Sequence, residues 1–194
     1  QYLNGTINVL SVGGQDKDGL AICSVNSIDK FSEGHWVFAL TKESYFPVLN
    51  DVRGYVSVSD DGLHFAEPKP WTFDDGAELG SYNTQQHWLA HRDGLFLVYT
   101  RRGANNDHIV RHRAPLFMAR VDPEKLQVIR ATEKVVVPER GAEMGNFGCA
   151  RINENESWVT VCEGMFMKDS KARGAEGATF VARILWSKPN PTSP

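Results

Sequence analysis

The segment RRGANNDHIVRHRAP, residues 101–115, gathers Arg101, Arg102, Arg111 and Arg113 with His108 and His112 in a chain whose formal net charge is −3. A guanidinium presents a planar fork of N–H donors that matches the paired oxygens of a carboxylate or sulfate. So dense a cluster in a mildly acidic chain points to an anionic ligand. The competing reading is internal, with some of these arginines pairing with Asp107, Glu139 or Glu143 to staple loops together. His108 and His112 stand four apart, a spacing that serves zinc only on a helix. The segment lacks both a helical pattern and an HExxH motif, so no metal and no cofactor is expected.

Further candidates flank this segment. His87 follows Gln85-Gln86 at the start of a β-rich run, where an imidazole can exchange a proton near neutral pH. Glu139, Glu143 and Glu163 are the best-placed carboxylates. Paired carboxyl groups, or a tyrosine nucleophile with a carboxylate partner, can serve acid/base and nucleophilic catalysis. Tyr82, in the loop SYNTQQH, is the tyrosine candidate, whereas Tyr99 lies inside a strand and reads as core. The expected assignment gives the chemistry to His87, Tyr82 and Glu143. Substrate binding falls to Arg101, Arg102, His108, Arg111, His112, Arg113, Gln86 and Asn146.

The elements that must position these groups are strands. The chain has 194 residues, 41% apolar and 23% charged, which suits a domain with a real core and no membrane span. The small negative charge gives no footprint for nucleic acid. Helical periodicity is nearly absent, and short β-rich runs alternate with Gly, Asn, Asp and Pro clusters. Three units line up. HWVFALT (35–41) leads to GYVSVS (54–59), GLFLVYT (94–100) to PLFMARV (115–121), and ESWVTVCE (156–163) to ATFVARI (178–184). Each first run has a hairpin partner just before it, and LQVIRATEKVVV (126–137) reads as a fourth strand of the middle unit. Repeated four-stranded units predict propeller blades over approximately 20–74, 84–137 and 147–187, with a β-sandwich as the alternative.

With strands A to D running outward from the axis, the A–B and C–D hairpins share one face. The other face receives the B–C loops 42–54, 101–114 and 163–178, and the blade connections 71–86 and 138–146. The arginine segment thus opens beside SYNTQQH and PERGAEMGN, where long loops carry binding rather than packing.

SVSDDGLHF (57–65) contains Asp60-x-Gly62-x-x-Phe65 at the C–D hairpin. It resembles the Asp box of sialidase-type propellers, with Val58, His64 and Phe65 departing from the usual Ser, Thr and Trp. The text SYNTQQHWLAHRDGLFLVYTRRGANNDHIVRHRAPLFMARVDPEKL is similar to bacterial sialidase-like proteins with Asp-box repeats, over roughly residues 35–187. The resemblance implies an all-β, sialidase-like β-propeller fragment. It also implies an exo-acting glycoside hydrolase on an acidic oligosaccharide or polysaccharide bearing sialic acid, uronate or sulfate. Sialidases complete their arginine triad and acid/base Asp from an N-terminal blade, so the N-terminal blades of a parent propeller would be partners. The full-length protein is then expected to be secreted or periplasmic, although no signal peptide stands in this chain.

Two other readings stay open. In a propeller polysaccharide lyase, His87 or Tyr82 would take the proton α to a uronate carboxylate that Arg101 neutralises. In a non-catalytic glycan-binding propeller, Trp71 and Trp88 would stack on sugar rings. Cys23, Cys149 and Cys162 form no disulfide framework and are expected as free thiols, although Cys149 and Cys162 fall on adjacent strands. The closing SKPNPTSP is too Pro-rich to add a fourth strand to the last unit, which predicts an unpaired edge over 179–185 until an upstream strand fills it.

Overall fold

The computed structural model describes residues 6–7, 22–32, 35–43, 53–60, 64–82, 84–144 and 146–190, those before 53 as backbone strands. They form three antiparallel sheets, broken only by two single-turn 3₁₀ segments. The first sheet runs β1 (Thr6–Ile7), β2 (Ile22–Ser32), β3 (His35–Glu43), β4 (Gly54–Ser59) and β5 (Lys69–Pro70) in spatial order. The second comprises β6 (His87–His91), β7 (Gly94–Tyr99) and β8 (Leu116–Asp122), with β9 (Gln127–Val128) and β10 (Lys134–Val137) sharing the outer edge of β8. In the third, β11 (Glu143–Met144) and β12 (Gly148–Asn153) pair with β13 (Glu156–Gly164), whose other edge takes β14 (Thr179–Leu185). Among the described residues no helix is long and apolar enough to cross a membrane.

The hairpin rhythm is as the turn residues predict, with two differences. The first sheet gains an inner strand, β1, upstream of the expected start. The run 126–137 is not one strand but two, separated by a 3₁₀ turn at Arg130–Thr132. Side-chain bonding competes with the ladder there: Thr132 Oγ1 accepts the Arg120 N–H at 2.9 Å and donates to the Ile129 carbonyl at 2.7 Å. The Asp-box motif lies between β4 and β5 as expected, but its residues 61–63 fall outside the described ones.

The middle sheet is covered on both faces, which explains why GLFLVY reads as an almost unbroken apolar run. Trp88, Leu95, Leu97, Tyr99 and Phe117 pack with Val56, Trp71 and Phe73 toward the first sheet. Leu89, Val98, Leu116 and Val137 pack with Phe147, Val159 and Val161 toward the third. The inner strand β6 touches both β2 and β12, the radial arrangement of adjacent blades. By contrast Ile152, Val181 and Leu185 of the third sheet are exposed, and β14 has no second hydrogen-bonded strand among the described residues. Cys149 pairs in register with Val159 and Cys162 with Thr179, so the two thiols are offset and free.

The loops expected on one face do meet there. The Arg102 N–H donates to the Gly80 carbonyl at 2.8 Å, the Met144 N–H to Arg113 at 2.8 Å, and the Arg173 guanidinium to the His108 carbonyl at 3.0 Å. One connection is shorter at this face than expected. Residues 71–79 fold into a small hairpin whose Thr72 and Asp74 bond to Val128, leaving 80–86 to return to the loop cluster.

Candidate functional site

The 101–114 loop is shaped by Asn106, a residue that composition and spacing do not single out. Its buried amide donates to the Ala114 carbonyl at 2.7 Å and the Arg101 carbonyl at 2.9 Å, closing the loop across its neck. The buried Ile109 anchors the middle, and the chain then turns through Arg111 and His112, both at positive φ. Tyr82, on the neighbouring connection, is also at positive φ. Left-handed backbone costs a non-glycine residue free energy and tends to concentrate at functional sites.

Within this frame the four arginines separate. Arg101, expected in substrate binding, is engaged internally. It forms a bidentate pair with Glu133, 2.8 Å from Nε and 2.5 Å from Nη2, and lies 4.7 Å over the Phe117 ring. Tyr99 donates to the same carboxylate at 2.5 Å. Burial works to raise the Glu133 pKa, but the hydrogen bonds from Arg101 and Tyr99 reverse this and hold it low. Arg102 pairs with Asp107 at 2.9 Å in an exposed staple. The internal reading therefore holds for this half of the segment.

Arg113 differs. Its Nη2 donates to Asn146 Oδ1 at 2.9 Å, a neutral acceptor. Burial lowers its pKa, the positive charge of Arg111 lowers it further, and Glu143 opposes both. The guanidinium of Arg111 lies 5.8 Å from the Tyr82 ring centre, and Tyr82 meets His112 edge-on at 5.7 Å. His112 Nδ1 is 3.6 Å from Asp107. Tyr82, Arg111, His112, Arg113, Glu143 and Asn146 thus form one contiguous group, as their loop positions predict. His108 stands apart, its Nε2 3.5 Å from Glu139.

The inner strand adds His87. Its ring meets Phe147 at 5.0 Å, beside Asn146, and its Nε2 is buried without a hydrogen-bond partner among the described residues. Burial pushes its pKa down to about 4, so the imidazole is neutral at physiological pH. Gln86, expected in substrate binding, is enclosed in the fold. It is fully buried, its Oε1 accepting from Trp71 Nε1 at 2.8 Å and its Nε2 donating to Ser81 Oγ at 3.1 Å. Gly54 makes room for this amide, since a Cβ there would stand 1.7 Å from Gln86 Nε2. Trp71 and Trp88, the candidates for stacking on sugar rings, are instead buried edge-to-face at 5.6 Å.

The carboxylates also separate. Glu163 is committed to its own loop, accepting the Glu176 and Ala178 N–H groups at 2.9 Å each. Burial raises its pKa, and these backbone donors together with Arg140 outweigh that to hold it low. Glu143 is buried where Gly164 lacks a side chain; a Cβ at that glycine would meet its Cγ at 2.9 Å. Among the described residues no three metal-ligating side chains converge. The arrangement can hold an anion at Arg113, and it offers Glu143, Tyr82 and a neutral imidazole for proton transfer.

No family model matches the chain, and neither does any curated protein. Among solved structures, the xylan β-1,4-xylosidase of Bacillus halodurans C-125 superimposes with a TM-score of 0.53 over 96% of this chain, at 12% identity. The chain has the fold of part of a propeller glycosidase. It spans 33% of the xylosidase, and the likeness does not single out the sialidases. A protein of unknown function from Dyadobacter fermentans DSM 18053 aligns over 88% of this chain and 50% of its own length, with 13% identity and a TM-score of 0.49.

Proposed function

We propose that this chain supplies the anion-binding part of a propeller glycoside hydrolase acting, exo-fashion, on an acidic glycan bearing sialic acid, uronate or sulfate. The carrying observation is Arg113, a partly desolvated guanidinium beside a second one, with the neutral Asn146 oxygen as its hydrogen-bond acceptor. Burying a cation is costly unless an anion answers it, and a substrate carboxylate or sulfate does so with two oxygens. Glu143 and Tyr82 then provide a carboxylate and a phenol for hydrolysis, the pairing used when tyrosine is the nucleophile. The glycosidase fold supports the class of reaction. A sialidase is the narrower form of this proposal, and a secreted or periplasmic location goes with it.

One observation favours elimination as a second reading. His87 is neutral near physiological pH, as a base removing the proton α to a uronate carboxylate must be. The intact protein, incubated with sialylated, uronate-bearing, sulfated and neutral glycans, distinguishes these. New reducing ends without an ultraviolet-absorbing unsaturated uronate support hydrolysis, and that chromophore supports elimination. Cleavage of neutral xylo-oligosaccharides alone would overturn the acidic-substrate proposal.

A further inference from the structure

Hydrogen-bond accounting at the head of β6 points to a residue beyond those already considered. Gln86 and Trp88 both turn toward the first sheet, where each contacts Trp71. His87, by contrast, meets Phe147 beside the loop cluster, and Gln85 stands two residues before it, just ahead of β6. Gln85 Oε1 and His87 Nε2 are both buried, and neither has a hydrogen-bond partner among the described residues. A buried polar atom left unpaired costs about 1–3 kcal/mol, and two of them two residues apart call for a common explanation.

We propose that Gln85, not Gln86, is a ligand-binding residue of this site, and that its amide oxygen and the His87 imidazole receive two neighbouring hydroxyl groups of a sugar. The chemistry fits. The Gln85 oxygen can only accept, and the neutral imidazole accepts at Nε2 when its proton sits on Nδ1, so in that tautomer the matching ligand is a donor of two hydroxyl protons. Two residues of chain span at most about 7 Å at Cα. Their side chains can therefore converge on a vicinal diol while Arg113 holds the anionic group. This inference rests on the glycan reading above but not on the acidity of the glycan.

The test uses the intact protein with Gln85→Leu, and binding measured by calorimetry and by retention in gels containing neutral or acidic glycans. Leu removes the polar atoms at similar volume, so the melting temperature should hold or rise while affinity falls roughly ten-fold. A substrate lacking one of the two hydroxyls should bind the wild type more weakly and bind Gln85→Leu with no further loss. Unchanged affinity in Gln85→Leu, with acidic glycans still bound, would overturn the Gln85 role and leave the acidic-glycan reading standing. Binding of neutral glycans alone, abolished by Gln85→Leu, would do the reverse. A protein that binds no glycan overturns both. If Leu lowers the melting temperature, Gln85→Met carries the same comparison. A similar drop with Met, and unaltered affinity, would assign the amide to a structural water and overturn the proposal.

Discussion

The two halves of the arginine segment begin from the same chemistry and end in different roles. Arg101 and Arg102 each meet a carboxylate through two nitrogens, Glu133 in a half-buried pocket and Asp107 at the surface. Arg113 lies beside another arginine, partly desolvated, and bonds to an amide oxygen. A guanidinium that already has its carboxylate stiffens the loop, whereas Arg113 hydrogen-bonds to no carboxylate among the described residues. The difference lies in the partners rather than in the arginines, and those partners come from 32 residues away for Arg101 and 33 for Arg113.

That contrast can be broken first at Arg101. The Arg101 and Glu133 side chains are only 16% and 13% exposed, so Arg101→Met strands a carboxylate together with the Tyr99 hydroxyl. It should cost about 3 kcal/mol of stability, read as a lowered denaturant midpoint. Full stability in this variant would show the pair to be dispensable. Arg113→Gln should do the opposite. We expect roughly a hundred-fold loss in kcat/KM on an acidic glycan. Its melting temperature should be unchanged or higher, because a desolvated charge has been removed. An equal loss on neutral substrates would separate Arg113 from anion recognition.

Smaller effects sharpen the comparison. His87 titrates near 6.5 when unfolded and about 4 when folded, so the unfolded chain takes up the proton first. Stability should therefore fall between about pH 6.5 and pH 4 and level off below. His87→Gln should flatten that slope in denaturant titrations at pH 7 and pH 5. An unaltered slope would mean that the imidazole is hydrated. The smallest effect belongs to Arg102→Ala, because its pair with Asp107 is 66% and 67% exposed. No resolvable change in melting temperature or affinity is expected, and a substantial change would place Arg102 with Arg113.

Much of the frame is legible in the linear order. Alternation and turn residues mark hairpins because both act over a few neighbours, and so GLFLVY and the turn at Arg92–Asp93 appear where expected. Knowing the strands assigns the loops to one face, which is why Tyr82, Arg111, His112, Arg113, Glu143 and Asn146 meet. Less is legible at the head of β6. Gln85 and Gln86 are chemically identical neighbours, and only the direction of the strand's pleat tells which faces the core. Trp71 and Trp88 show the same limit, since an aromatic side chain can line a cleft or fill a core, and burial by the adjacent sheet decides. Asn106 leaves a faint signal as an Asn in a long loop, but its role depends on carbonyls brought together by loop closure.

The sequence by itself determined the all-β class, the hairpin spacing and the concentration of charge on one face, because these follow from local periodicity and turn chemistry. The tertiary structure alone decided which charges are spent. Ion pairing, desolvation and hydrogen-bond satisfaction depend on distance in space, and packing the middle sheet between its neighbours engaged Arg101 and Gln86 internally while leaving Gln85 Oε1 and His87 Nε2 without partners among the described residues.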